Sequence, residues 1–288
     1  MAGITPAERT RLGVSTDASI TPEVSGTGAY LFDNDTVEAA EQVRLLAEAF
    51  DGHTTAVLEN LGVADDWQCL DLGPGAGTIS AFLADQLGPA GHVTVIDEKP
   101  QHVRPHERIT VVTGDIAATD FGRERFDLIH ARLLFMHLPQ REEVMMRAAA
   151  ALKPGGTLVV SDCDASHYDE MLTAAPPGVS EAFVAFQGAL TGIGVSTGMD
   201  PVWARRIPAA MRAAGLGDIT TQVFNRLWAG GEAAMLLYAC ISRQLEDGLL
   251  ARGVDLAALE TLRKATRDPN VWAYSWPMYT GVGVRPAA

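Results

Sequence analysis

Apolar and polar positions along residues 37–162 follow two periods, one typical of helices and one typical of strands. Apolar residues recur at helical spacing over 37–49 and again over 54–61, which predicts two helices before the first strand. An alternation of elements then begins. Strands are predicted at 67–72, 92–97, 109–115, 126–131 and 157–162, and helices at 78–87 and 139–152. Strands this apolar must be covered on both faces, so the pattern predicts a doubly wound α/β fold.

The alternation of predicted strands and helices ends after Asp164. About fifty residues rich in glycine and proline precede a strand-like stretch at 218–224, a largely helical stretch at 231–266 and a last strand-like stretch at 279–286. A helix is predicted near 205–214. An insertion this late in an α/β sheet lies on the side where the strands' carboxyl ends point, so we expect it to contact substrate.

The charge, cysteine content and apolar runs of the chain favour some classes of function over others. The 288 residues carry a formal net charge of -14, from 36 acidic and 22 basic side chains. Because phosphates are bound mainly through Lys and Arg, this balance disfavours nucleic acid and favours a small substrate. Three widely separated cysteines and the lack of a leader-like segment indicate a cytoplasmic location. No apolar run reaches the length of a membrane span, so no membrane role is expected.

The stretch LDLGPGAGT at 70–78 suggests a nucleotide-type loop. A strand, a glycine turn and a helix in that order place backbone N–H groups and a helix amino end against a ligand. The dinucleotide fingerprint G-x-G-x-x-G requires glycine where this chain has Thr78. Asp71, just before the glycines, would repel a pyrophosphate and can pair with a ligand ammonium group. The loop therefore favours a ligand with a cationic end.

Two further carboxylates follow predicted strands. Asp97 ends the second strand, at the distance from the glycines where an acidic side chain meets ribose hydroxyls. Asp115 ends the third strand and could accept a hydrogen bond from the exocyclic amine of a base. Together with Asp71 they place three acids on one edge of the sheet, which is the arrangement a nucleoside ligand requires.

These motifs, in this order, resemble the class I S-adenosylmethionine-dependent methyltransferases, in particular the small-molecule branch. The motifs are DLGPGAG, VID, TGDI, FDLIHA and LKPGGTLVVSD, within about residues 66–165. The resemblance implies S-adenosyl-L-methionine as cofactor and a mostly parallel seven-stranded sheet with an amino-terminal helical lid. The cofactor-binding residues it implies are Tyr30, Arg44, Asp71, Gly73, Gly75, Gly77, Asp97, Glu98, Asp115, Ile116 and Ala131.

Roles within that set also come from the resemblance. The three glycines would flank the methionine part, Asp97 the ribose hydroxyls, and Asp115 with Ile116 the adenine. Tyr30 and Arg44 would close over the cofactor carboxylate.

The resemblance also implies a division of the chain. We expect an arm and helical lid at 1–62, a cofactor-binding core at 63–165, a substrate-binding insertion at 166–217, and strands and helices that complete the sheet and pocket at 218–288.

Candidate catalytic residues lie near the strand ends. His137 is placed in the loop that opens onto the methyl group in the resembled family, and a near-neutral pKa would suit proton removal there. Asp162 and Asp164 could orient His137 or the acceptor, and His130 is a further candidate. A packed histidine is the alternative interpretation of each imidazole. The acidic run that includes Asp162, Asp164 and Asp169 is interpreted as a solvated loop, and no metal is predicted.

Aromatic residues concentrate in the insertion and the carboxyl-terminal part. In VWAYSWPMY, alternating aromatics at 272, 274 and 276 would give a strand one continuous aromatic face, although ordinary core is the more frequent explanation. A flat, apolar acceptor such as a secondary metabolite would fit that face. Methylation at oxygen, nitrogen and carbon all stay open.

Three alternatives to methyl transfer remain. The scaffold could hold the cofactor while a cyclisation or isomerisation occurs. A nicotinamide-dependent oxidoreductase is disfavoured by Thr78 and Asp71, and a non-enzymatic binding module would not require three acids on one edge. Expected partners are a small-molecule acceptor, with no nucleic acid and no membrane, and a homodimer is left open.

Overall fold

The computed structural model of the chain describes residues 37–287. Its helices are α1 (Val37–Leu61), α2 (Thr78–Gln86), α3 (Arg141–Ala151), α4 (Val179–Ser196), α5 (Ile207–Ala213), α6 (Ala233–Gln244), α7 (Glu246–Ala251) and α8 (Leu256–Ala265), with 3-10 turns at Phe135–His137 and Trp203–Arg206. Its strands are β1 (Gln68–Leu72), β2 (His92–Asp97), β3 (Ile109–Thr113), β4 (Phe126–Arg132), β5 (Leu152–Cys163), β6 (Leu172–Ala174), β7 (Gly217–Phe224), β8 (Leu227–Ala229), β9 (Trp272–Tyr274) and β10 (Met278–Val284).

Seven strands form one sheet in the order β3-β2-β1-β4-β5-β10-β7. Strands β1 to β5 pair in parallel, and β10 runs antiparallel to both β5 and β7. The prediction of a mostly parallel, doubly wound seven-stranded sheet is confirmed. The order of the strands reverses between β1 and β4, so their carboxyl ends border the crevice where ligands of open α/β sheets bind.

Apolar layers cover the central strands on both faces. On one face, residues of α1 and α2 pack against β1, β2, β4 and β5, with Leu58 and Leu83 fully buried. On the other face, a larger cluster joins the sheet to the helices of the second half of the chain, around Phe135, Phe186 and Trp203. Both faces are covered because the strands are apolar on both sides. No helix within residues 37–287 is long and apolar enough to cross a membrane.

The segment before β1 is one helix of 25 residues, so the prediction of two helices is wrong. The polar residues that interrupted the apolar spacing are bound by the sheet. Asp51 accepts a hydrogen bond from Arg132 of β4 at 2.8 Å, and His53 Nε2 lies 2.9 Å from Thr280 Oγ1 of β10. These long-range contacts hold the helix through the stretch where local periodicity fails.

A second, three-stranded antiparallel sheet has the order β6-β9-β8 and was not predicted. It joins a strand of the predicted insertion to two strands of the carboxyl-terminal part. Strand β9 ends at Tyr274, so the continuous aromatic strand face expected at 272, 274 and 276 does not form. The strands that pair with β9, which are β6 and β8, are each three residues long. Pro277 lacks the N–H that further pairing would need. Trp276 instead packs edge-on against Tyr238.

Candidate functional site

The glycine loop joins β1 to α2 at the crevice between β1 and β4. Gly73, Gly75 and Gly77 have φ values of 63°, 55° and 70°, a region that favours glycine. A Cβ on Gly77 would lie 3.1 Å from the Cα of Val103, whereas a Cβ on Gly75 would meet no heavy atom of residues 37–287 within 4 Å. The loop therefore presents backbone to open space at Gly75. The free N–H groups of the first turn of α2 follow directly after it.

Asp71 is enclosed beneath this loop. Its Oδ2 accepts a hydrogen bond from Ser80 of α2, and its Oδ1 lies 2.8 Å from Nδ1 of His130 on β4. The side chains of Asp71 and His130 are 1% and 2% exposed. The expectation that Asp71 meets a ligand ammonium group gains no support from these contacts, because both carboxylate oxygens have internal partners. Asp71 instead joins β1, β4 and α2 around the glycine loop.

His130 of β4 is the partner of Asp71. Its side chain is buried on the face covered by α1 and α2, where Nδ1 is engaged with Asp71. We therefore interpret His130 as part of this buried group, and the contacts give no support to a catalytic role.

The carboxylates that follow β2 and β3 are more accessible. Asp97 is half-buried, its Oδ1 accepts the N–H of Lys99 at 2.8 Å, and burial raises its pKa. Asp115 is exposed, and its Oδ1 accepts the N–H of Ala117 at 2.7 Å. Gly114 N donates to Asp97 O, which places the two loops side by side. The side chains of Asp97 and Asp115 are thus less enclosed than that of Asp71, and their contact with a nucleoside stays a prediction.

The remaining members of the cofactor-binding set lie in different surroundings. Ile116 and Ala131 are buried, while Glu98 is exposed. Arg44 faces solvent on α1, where it pairs with Glu48 at 2.8 Å and both side chains are 59% exposed. This placement does not support the expected contact of Arg44 with the cofactor carboxylate. Tyr30 lies outside the described residues.

The loop after β4 forms the other side of the crevice. Leu133 has a φ of 54°, which is unusual for a bulky residue, and its N–H donates to Ser161 O at 2.8 Å. Leu134 touches the glycine loop, since a Cβ on Gly73 would lie 3.2 Å from its Cδ1. No sequence signal identified Leu133, because backbone strain of this kind leaves no mark in composition or periodicity.

His137 ends the 3-10 turn in this loop. Burial, with a smaller effect of the nearby Arg141 guanidinium, lowers the pKa of His137 to about 4. The expectation of a near-neutral pKa is therefore wrong, because the cationic imidazole is poorly solvated there. At neutral pH the side chain is uncharged.

Asp162 lies under the same loop at the carboxyl end of β5. Its Oδ2 accepts the N–H of Met136 at 3.3 Å, and burial raises its pKa to about 8. Arg141 clamps the loop from α3, with hydrogen bonds to Phe135 O and Gly198 O. The post-β4 loop is thus fixed by β5, by α3 and by the turn that precedes Trp203.

Asp164 is also buried but has different partners. Its Oδ1 accepts from the backbone N–H and the hydroxyl of Ser166, and its Oδ2 accepts from Arg205. His167 Nδ1 lies 2.7 Å from Arg205 Nη2. These contacts tie β5 to the Trp203–Arg206 turn, and they do not support the expectation that Asp164 orients His137 or the acceptor.

The acidic run after β5 is not a uniform solvated loop. Asp162 and Asp164 are buried with separate partners, while Asp169 is exposed. Among residues 37–287, no group of three or more His, Cys, Asp or Glu side chains is arranged to hold a metal ion.

Comparison with known proteins identifies the domain. Residues 64–191 match the family described as "Methyltransferase domain". The chain is 29% identical over 125 residues to Methyltransferase GfsG of Streptomyces halstedii, a match that covers 41% of the chain and 45% of that protein. It is 34% identical over 113 residues to Methyltransferase str2 of Strobilurus tenacellus, covering 37% and 39%. The chain thus spans less than half the length of these curated relatives.

Among solved structures, the chain is similar to phosphoethanolamine N-methyltransferase 2 of Haemonchus contortus in complex with S-adenosyl-L-methionine. The TM-score is 0.55 at 15% identity, and the match covers 92% of this chain and 61% of that one. At this identity the likeness supports the fold.

Proposed function

We propose that the chain, which matches the methyltransferase domain family through residues 64–191, is a class I S-adenosylmethionine-dependent methyltransferase that transfers a methyl group from S-adenosyl-L-methionine to a small, apolar acceptor. One observation carries the proposal. The glycine loop, with three successive glycines at positive φ, lies at the β1/β4 crevice and presents open backbone at Gly75. Carboxylates on the next two strand ends flank it.

The residues present fit the cofactor. The glycine loop would hold the amino-acid part against backbone, since no side chain in the described part of the chain fills the space beside Gly75. Asp97 would accept hydrogen bonds from the ribose hydroxyls, and Asp115 with Ile116 would hold the adenine. Because Asp97 is only partly buried, its carboxylate can accept hydrogen bonds from a ligand while it is shielded from part of the solvent.

In methyl transfer, the main task of the protein is to position the reacting groups. The cofactor, when bound, supplies an electrophilic methyl group on a sulfonium. The chain's contribution is to hold the acceptor in line with that group and to exclude water. The rigid post-β4 loop, clamped by Arg141 and Asp162, would supply the wall for that alignment.

The low pKa of His137 limits the role that we propose for its imidazole. Because its pKa lies near 4, the imidazole is neutral at physiological pH and can accept a hydrogen bond. The same low pKa makes it a weak base. We therefore assign His137 to orienting an acceptor hydroxyl or amine, rather than to removing a proton from a poorly acidic group.

Binding of S-adenosyl-L-homocysteine tests the cofactor site. Isothermal titration should give a dissociation constant in the micromolar range, and Asp97→Ala should weaken binding about tenfold or more, as expected for loss of hydrogen bonds to a charged group. The control is Asp169→Ala, an exposed acid outside the crevice, which should leave the affinity unchanged. Absence of binding, or equal effects of the two variants, would contradict the assignment.

Transfer itself is tested with methyl-labelled cofactor and a panel of small aromatic and aliphatic alcohols, amines and ketones. Label in the acceptor is the expected result. Conversion of an acceptor without label would instead indicate a cyclase or isomerase on the same scaffold, and enhanced NADH fluorescence would indicate an oxidoreductase.

A further inference from the structure

Within the described residues, the side-chain amide of Gln187 on α4 has a hydrogen-bond partner on its oxygen but none on its nitrogen. Its side chain is fully buried, and its Oε1 accepts the indole N–H of Trp276 at 3.2 Å. Its Nε2 finds no acceptor within residues 37–287. Since an indole nitrogen only donates, Trp276 fixes which end of the amide faces it. The two N–H groups of Gln187 are therefore directed away from Trp276 and lack a partner, which is costly in a buried position.

Trp276 places this amide near the carboxyl edge of the sheet. Trp276 O lies 3.9 Å from the Sγ of Cys163, the last residue of β5. Met278 pairs with Cys163 in the sheet, and Asp164 N donates to Pro277 O. The next strand from β5 is β4, whose following loop borders the crevice. The amide is thus held by a residue that lies at the carboxyl end of β5, two strands away from β1 and its glycine loop.

The surroundings of Gln187 are aromatic. Tyr238 of α6 packs edge-on against Trp276, with ring centroids 4.8 Å apart, and against Phe183 at 5.2 Å. Phe186 lies 6.4 Å from the same ring. The Tyr238 hydroxyl donates to Tyr274 O and is therefore not directed to Gln187. A ligand in this aromatic group would meet apolar rings and the N–H groups of Gln187 that have no partner within residues 37–287.

We propose that Gln187 is the hydrogen-bond donor that recognises an oxygen atom of the acceptor, and that Trp276 is the positioning residue that fixes the amide. The chemical class is a flat aromatic molecule that bears a carbonyl or ether oxygen. The proposal rests on the proposed function, because it assigns the acceptor side of the same site. It adds a specificity determinant: an acceptor of the same shape without the oxygen leaves the donor unpaired and binds more weakly.

A pair of probes of equal shape tests the proposal without methyl transfer. Acetophenone carries a carbonyl oxygen, and α-methylstyrene carries a CH2 group in its place. Their dissociation constants are measured by ligand-observed NMR on the full chain, with and without S-adenosyl-L-homocysteine. The native chain should bind acetophenone about tenfold more tightly, the effect of one hydrogen bond.

Variants identify the donor. Gln187→Leu keeps the approximate volume and removes the amide, so the ratio of the two dissociation constants should fall to about one. Trp276→Phe keeps an aromatic ring but removes the N–H that fixes the amide, so the ratio should fall part of the way. The control is Gln222→Leu, on the exposed strand β7, which should keep the native ratio. Thermal unfolding checks that each variant is folded.

A native ratio near one overturns the proposal, and so does the failure of both probes to bind. A preference that survives Gln187→Leu also overturns it. Failure of the proposed function has a different signature, since the ratio would persist while no labelled methyl reaches any acceptor.

Discussion

The carboxyl ends of β1 and β5 each carry a buried aspartate, yet the two surroundings are different. Asp71, at the end of β1, has a histidine and a serine hydroxyl on its two oxygens. Asp162, near the end of β5, accepts the N–H of Met136 and is raised in pKa to about 8 by burial. The sequence motifs LDLG and VVSD give no hint of this difference, which is set by what the neighbouring elements bring to each carboxylate.

The comparison shows two ways to stabilise a loop at a ligand-binding edge. At β1, a buried pair ties the glycine loop to β4 and α2, so the carboxylate is best kept paired. At β5, a carboxyl group that holds a proton near neutral pH supports the post-β4 loop without a charged partner in direct contact. The first arrangement should be sensitive to removal of a partner, and the second to pH.

The largest effect is expected for Asp71→Ala. Removal of the carboxylate leaves the buried His130 and Ser80 without their hydrogen-bond partner, so the free energy of unfolding should fall by about 3 kcal/mol. Urea denaturation measures the change. The control is Asp85→Ala, whose carboxylate is 72% exposed beside His106 and should cost less than about 1 kcal/mol. A loss at Asp71 as small as that of the control would remove the distinction between the two strand ends.

An intermediate effect is expected from the pH dependence that Asp162 contributes. Its pKa is about 8 in the folded chain, against 3.8 for an ordinary solvated aspartate, so between these values the folded state holds a proton that the unfolded state has lost. Its stabilising contribution is complete below about pH 4 and falls as pH rises towards 8. Between pH 5 and pH 7 we expect the native chain to lose about 2 kcal/mol relative to Asp162→Asn.

Urea denaturation of both proteins at several pH values measures this difference. Asp162→Asn keeps an oxygen that can accept the Met136 N–H, so it should fold. Parallel pH profiles for the two proteins would show that Asp162 is ionised in the folded state.

The smallest effect is expected for Gly75→Ala. A methyl group has room there, but the φ of 55° is unfavourable for alanine, so stability should fall by about 1 kcal/mol. Gly52→Ala is the matched control, since it also has room and lies within α1, where alanine should stabilise by about 0.5 to 1 kcal/mol. Thermal unfolding measures whether each variant is more or less stable than the native chain. If the cofactor binds against Gly75, the affinity for S-adenosyl-L-homocysteine should fall in Gly75→Ala and stay constant in Gly52→Ala.

Features set by local spacing could be predicted from the sequence. The strand at His92–Asp97 and the position of the glycine loop both follow from short apolar runs and punctuating glycines. The placement of Asp97 and Asp115 beside the crevice follows from the rule that parallel strands end at one edge. The fold class rests on these local signals.

Features set by distant partners could not be predicted. Asp71 meets His130, 59 residues later, and Asp164 meets Arg205, 41 residues later. Both pairings depend on tertiary packing that periodicity does not encode. The single long α1 and the β6-β9-β8 sheet have the same origin, because each is completed by residues far along the chain. The low pKa of His137 likewise reflects burial under elements that the motif around it does not reveal.

The position of β10 has a consequence for synthesis on the ribosome. Met278–Val284 separates β5 from β7 and is the strand that pairs with β7 among residues 37–287, so this pairing waits until those residues have emerged from the exit tunnel. During translation, the nascent polypeptide can assemble β1 to β5 with their helices, while β5 retains an open flank. Chaperones that shield unpaired strand flanks would therefore be needed most in the interval before residue 284 is released.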